Sequence, residues 1–172
     1  MKIIIKKETE EGIVLDSLSE FPKIESTLKD YGISVAQIPL NRDNEFSSPY
    51  ESFVEHFKLM NKYISSDIVR LSKETPKEVL DPFKKVHHHT DDEVRFTIDG
   101  EGVFGIIPDE KTEIEIYCTK GDLINIPAYT RHWFKLTKSH EMNCVRIFKD
   151  NPKWEAIYNV PENQALTKSL LA

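Results

Sequence analysis

His87-His-His89-Thr-Asp-Asp-Glu93-Val-Arg95-Phe-Thr-Ile98 is the stretch from which the fold and the chemistry are both read. On an extended backbone alternate side chains share a face, so His87 and His89 project together while His88 points away. Glu93 keeps their parity, Arg95 follows on the same side, and Val94, Phe96 and Ile98 take the other. A second stretch, Gly121-Asp-Leu-Ile-Asn-Ile-Pro127-Ala-Tyr-Thr-Arg-His132, adds an imidazole, with Phe134 two residues further on. Three imidazoles and one carboxylate suit a divalent transition metal of iron, nickel, cobalt or manganese type. Buried together without a cation they would be costly. Four protein ligands leave two positions open on a six-coordinate ion, enough for a chelating oxygen substrate or a substrate and a small molecule. Structural zinc closes its shell tetrahedrally and favours cysteine, and neither Cys118 nor Cys144 falls in the pattern.

Outward from these ligands the text reads as strands. Residues 94–98, 102–107, 112–118, 123–126, 133–136 and 143–148 are short and rich in β-branched and aromatic side chains. Asp99-Gly100, Pro108-Asp109, Lys120-Gly121-Asp122 and Thr137-Lys-Ser separate them as turns. Six such strands predict a sandwich or barrel. Before residue 85 helical patterns alternate with short extended pieces. The opening Met-Lys-Ile-Ile-Ile-Lys-Lys reads as a first strand, and 17–31 holds a helix starting near Pro22 and stopping before Gly32. Residues 48–64 form a second helix with Phe53, Phe57, Met60 and Tyr63 along one face, and Ile68–Leu71 reads as a strand. Thr75-Pro76 opens a third helix as cap and first position. Residues 161–172 read as a surface tail or short helix.

A chain of 172 residues fits one domain, and 39% hydrophobic with 30% charged residues is ordinary globular composition. The formal net charge of −6 supplies no basic stripe for nucleic acid. No apolar run approaches the about 18–20 residues that span a bilayer, and the first residues do not form an export signal. A cytoplasmic protein with reduced, packed Cys118 and Cys144 is expected, and a monomer, because no surplus apolar surface is evident. Asp91 and Asp92 are expected in a solvated turn, and His56 and His140 outside the site. Arg95 could bind an anionic oxygen or form a structural ion pair.

These residues resemble the two motifs of the cupin superfamily. His87, His89, Glu93 and Gly100 meet the intervals of the first, and Gly121, Pro127 and His132 those of the second. Asp81 and Tyr129 stand where the motifs carry glycine, and Leu136 where the second closes on asparagine. The phrases His-x-His-x-x-x-Glu-Val-Arg-Phe, Lys-Gly-Asp-Leu-Ile-x-Ile-Pro-Ala, Thr-x-His-Trp-Phe and Val-Arg-Ile-Phe look like the bacterial acireductone dioxygenase family, densely from Phe83 to Trp154. Val86 departs from the acidic residue common there before the first histidine.

The resemblance implies a mainly β fold, a cupin-type β-barrel (double-stranded β-helix, or jelly roll) with a few peripheral N-terminal helices. It implies one cupin domain over 1–172: a strand and helices in 1–82 packing on the barrel, a metal-binding core over 83–150, and the tail at 161–172. The metal ligands would be His87, His89, Glu93 and His132, holding one Fe(II) or Ni(II) per monomer. Arg95, as catalytic group, and Arg146 would steady substrate oxygens, and Phe83 and Phe134 would wall in a methylthio tail. The implied partners are O2 and a small acireductone of methionine salvage, 1,2-dihydroxy-3-keto-5-methylthiopentene. With iron the products would be formate and 4-methylthio-2-oxobutanoate; with nickel, formate, carbon monoxide and 3-methylthiopropanoate. Another metal-dependent cupin dioxygenase or isomerase is the alternative, and a non-catalytic metal-dependent binding module is the reading from a different class.

Overall fold

A computed structural model describes residues 1–39, 49–150 and 155–158. The expected tail at 161–172 lies outside the described residues. Among the described residues, nine strands and three helices follow in the order β1 (Lys2–Thr9), β2 (Gly12–Leu18), α1 (Phe21–Lys29), β3 (Ser34–Gln37), α2 (Pro49–Asn61), β4 (Ser65–Leu71), α3 (Lys77–Phe83), β5 (Glu93–Ile106), β6 (Thr112–Thr119), β7 (Asp122–Ile126), β8 (His132–Leu136) and β9 (Met142–Phe148). The architecture is the mainly β, cupin-type curled antiparallel sheet, with the helices on its periphery. No helix among the described residues is long and apolar enough to cross a membrane.

The central departure from the sequence reading is β5. Asp99-Gly100 is not a hairpin turn but a bulge inside one long strand, where the register against β9 slips between Thr97 and Asp99. Gly100 has φ +70°, and a Cβ there would fall 2.3 Å from the Glu141 carbonyl oxygen. A glycine-based bulge bends a strand without ending it. The first half of β5 pairs with β7 and β9, and the second half with β6 and β8. The extra residue also reverses parity: Glu93 and Arg95 line the interior before it, and the even-numbered Phe104 after it.

Val94 and Phe96, on the opposite side, are fully buried in a second cluster beneath α2, where the Phe53 ring lies 4.9 Å from Phe96. Met60 does not join that face; it stays exposed next to the helix end at Asn61, after which Lys62 turns left-handed at φ +61°. The larger core joins Ile3, Ile5, Ile24, Leu28, Phe104, Ile106, Ile114, Ile116, Cys144 and others. Cys118 and Cys144 are both free and buried.

Among the described residues of the first 71, four strands form rather than the two expected, and β2 and β3 carry no clear strand pattern in sequence. β2 is an edge whose Ile13, Val14 and Leu15 are all exposed, so the premise of no surplus apolar surface fails there. Thr75 is not the α3 cap: its hydroxyl accepts the Ser72 N–H at 2.9 Å, and Pro76 takes the cap position.

Candidate metal centre

The barrel interior opens on a cavity of about 100 Å³. His87, His89, Glu93, Arg95 and His132 form its polar end, and Val69, Leu71, Phe83, Phe104, Phe134 and Ala156 most of its apolar wall. His87, His89 and His132 are all buried, and their ligand nitrogens lie within 4.8 Å of one another. Backbone pairing forces this: His87 and His132 exchange N–H···O bonds of 2.9 and 2.8 Å, and the Tyr129 N–H reaches the His89 carbonyl at 2.8 Å. Tyr129 itself sits at φ +65°. The left-handed conformation that a glycine would adopt without strain is thus kept by a bulky residue, at roughly 1–2 kcal/mol, and its ring rests on His88 at 5.8 Å.

Each ligand-type imidazole is oriented from behind. Nδ1 of His87 meets the Lys85 carbonyl at 2.7 Å, that of His89 the Glu155 carbonyl at 2.8 Å, and that of His132 the Thr130 carbonyl at 2.8 Å. A carbonyl oxygen only accepts, so the proton sits on Nδ1 and the Nε2 lone pair faces the cavity. Glu93 Oε2 stands 2.7 Å from His132 Nε2 and 3.5 Å from His89 Nε2. Yet neither Glu93 Oε2 nor His132 Nε2 has a hydrogen-bond partner of good geometry, and both are buried. Two orphaned buried acceptors converging on one point are costly unless a cation lies between them. The residues therefore fit a divalent metal, with three nitrogens and one oxygen as donors.

Glu93 is prepared as an anion. Burial alone would raise its carboxyl, but Arg95, whose Nε donates to Oε1 at 2.7 Å, and then His132 outweigh it and hold it well below the usual range. Burial, then the neighbouring His132, pushes His87 down to about 4, so this imidazole is neutral at pH 7 and free to ligate. A histidine whose folded pKa lies below its unfolded value of about 6.5 takes up protons more readily when unfolded. Its contribution is therefore intact above pH 6.5 and is lost as pH falls toward about 4. The metal-free protein should show a denaturation midpoint that declines steadily across this window, measured by urea titration at several pH values. A midpoint flat from pH 7 to 4 would contradict a buried neutral His87.

The other expected site residues are placed as follows. Phe83, the last residue of α3, and Phe134 on β8 meet edge-on at 6.3 Å in the apolar wall. Arg146 lines the cavity, but its guanidinium is gripped by Asp67: Nε donates to Oδ1 at 2.7 Å and Nη2 to Oδ2. Asp67 escaped sequence reading because only the β4–β9 register sets it opposite Arg146. Cys144 also lines the cavity, 3.7 Å from Arg95 Nη1, and its two-residue offset from Arg146 was the available signal. His88 lies outside the ligand group, though it is buried rather than solvated. Asp92 is not simply solvated either: it accepts from Lys149 Nζ (2.6 Å), Ala128 N (3.1 Å) and Tyr63 OH (3.2 Å). That ties the Glu93 segment to the loop leading into His132. His56 and His140 are exposed and remote from the group. Asp81 is exposed and paired with Lys84, Val86 is exposed, and Leu136 packs against the core.

The profile of the ARD/ARD' family matches residues 2–156. A protein of Sulfurihydrogenibium sp. named acireductone dioxygenase is 42% identical over 120 residues, 69% of this chain; the match spans 65% of that relative, just under two thirds. One of the same name from Leptospira biflexa serovar Patoc is 38% identical over 160 residues, covering 92% of this chain and 86% of the relative. Among solved structures, the acireductone dioxygenase from Bacillus anthracis with a cadmium ion in its active center superposes with a TM-score of 0.75 at 28% identity, covering 91% of this chain and 97% of that one.

Proposed function

The chain belongs to the ARD/ARD' family, and on that premise we propose that it is a metal-dependent acireductone dioxygenase of methionine salvage acting on 1,2-dihydroxy-3-keto-5-methylthiopentene and O2. The observation that supports this most is the convergence of His87, His89, His132 and Glu93 in a cavity whose remaining lining is mostly apolar. These four residues would hold one Fe(II) or Ni(II), which when bound supplies Lewis acidity and a template for a chelating enediol.

The protein's own part is to receive and orient the substrate. Arg95 places a cation beside the polar end, and a nearby cation lowers the proton affinity of an enediol and favours its dianion. Phe83 and Phe134 offer an apolar surface to the methylthio tail. Arg146, fixed by Asp67, adds a second guanidinium along the wall. A cytoplasmic monomer is the expected form, and size-exclusion chromatography with light scattering checks the oligomeric state, with the exposed Ile13, Val14 and Leu15 of β2 as the surface on which a dimer would form.

The test is anaerobic purification, metal analysis, and product identification for separately iron- and nickel-loaded protein. The iron form should give formate and 4-methylthio-2-oxobutanoate; the nickel form should give formate, carbon monoxide and 3-methylthiopropanoate. No oxygen uptake with an acireductone would point to an isomerase and overturn the proposal.

A further inference from the structure

Gly102 lies in the second half of β5 and belongs neither to the ligand group nor to the residues that line the cavity, but it lies under one of them, Phe134. Its backbone does not need glycine, for it is not among the positive-φ residues. What it requires is empty space. A Cβ at this position would lie 2.5 Å from Phe134 Cε2, 3.0 Å from Phe134 Cζ and 2.5 Å from Met142 Sδ, distances at which something must move.

The strand register shows which way. β5 meets β8 with Ile106 opposite His132, Phe104 opposite Phe134 and Gly102 opposite Leu136. The far end of the Phe134 ring therefore reclines over Gly102, away from the His132 end of the strand. Met142, on the other side of the gap, is fully buried in the core and has little freedom to retreat. The free volume beside Phe134 is the cavity itself. A side chain at residue 102 would thus press the ring into that space, where Phe83 (6.3 Å) and Phe104 (4.9 Å) flank it, and narrow the apolar part of the cavity, leaving His87, His89, Glu93 and His132 in place.

We propose that Gly102 is a specificity-determining positioning residue: by letting Phe134 lie back, it sets the length of apolar tail that the cavity accepts. The proposal deepens the acireductone reading above and rests on it.

The test compares parent protein and Gly102→Ala on synthetic acireductones with one enediol head and tails of methyl, methylthioethyl and pentyl. In Gly102→Ala the ratio of kcat/KM for methylthioethyl over methyl should fall about tenfold, the scale of one or two misfitting methylenes in an apolar pocket. The loss should sit mainly in KM for the longer tails, with metal content unchanged. Gly102→Ala combined with Phe134→Leu removes the overlapping ring and should bring the ratio back to that of Phe134→Leu alone, within about twofold. This second comparison also serves if Gly102→Ala alone fails to fold. An unchanged ratio in a folded, metal-loaded variant overturns the proposal, as does a ratio that Phe134→Leu fails to restore. Parent protein inactive on every acireductone would instead overturn the functional reading, and this proposal with it.

Discussion

In Glu93→Gln, bound metal should fall to a small fraction of the parent level, and the metal-free chain should lose about 3 kcal/mol of stability. Both effects come from one carboxylate. Oε2 points with His132 and His89 at the cation position, while Oε1 accepts the Arg95 Nε–H at 2.7 Å. Glutamine keeps the shape but removes the charge, so the site loses its one anionic donor among three neutral imidazoles. Arg95, with 15% of its side chain exposed, then loses the carboxylate beside it. Removing one partner of a buried ion pair costs more than the pair contributes, because the remaining charge loses its counter-charge. Metal analysis and urea denaturation of the stripped protein read the two effects separately. Glu93→Gln with Arg95→Met should regain most of the stability and none of the metal. Normal metal content in Glu93→Gln would remove the carboxylate from the ligand set.

Arg95→Met should lower kcat/KM for an acireductone by about a hundredfold, comparable to loss of an oriented charge-stabilising donor, while the ligand residues still load metal. Arg95 shares the cavity with the ligands and carries fixed positive charge beside the expected enediol. Without it the substrate is harder to deprotonate, so the acid limb of the kcat/KM profile should move to higher pH. Arg95→Lys restores charge without the planar fork that meets Glu93, and should recover part of the acid limb but less of the rate. Unchanged kinetics and an unmoved profile in Arg95→Met would assign Arg95 to holding Glu93 alone.

The grouping of the three histidines was legible because its logic is local. His87 and His89 share a face by the two-residue period of an extended chain, and Pro127 with His132 stands at a motif spacing that needs no knowledge of pairing. The β-rich second half was legible for the same reason. Where local signals conflicted with long-range packing, the reading went astray. Asp99-Gly100 carries turn chemistry, yet the same glycine conformation also makes a bulge, and only pairing partners on both sides keep β5 continuous. Met60 matched a helical stripe but stands where the helix ends and faces solvent. β2 and β3 were missed because their pairing with β1 and β7, not their own alternation, holds them extended.

Side-chain chemistry at short intervals already pointed to the grouping of His87, His89 and His132 and to the barrel, since such intervals survive into the fold as shared faces. Contacts between distant positions followed other rules. Asp67 grips Arg146 across 79 residues, three backbone carbonyls fix the imidazole tautomers, and Gly102 holds open the space into which Phe134 leans. None of these leaves a trace in spacing, because backbone carbonyls and absent side chains have no identity until strands are brought into register.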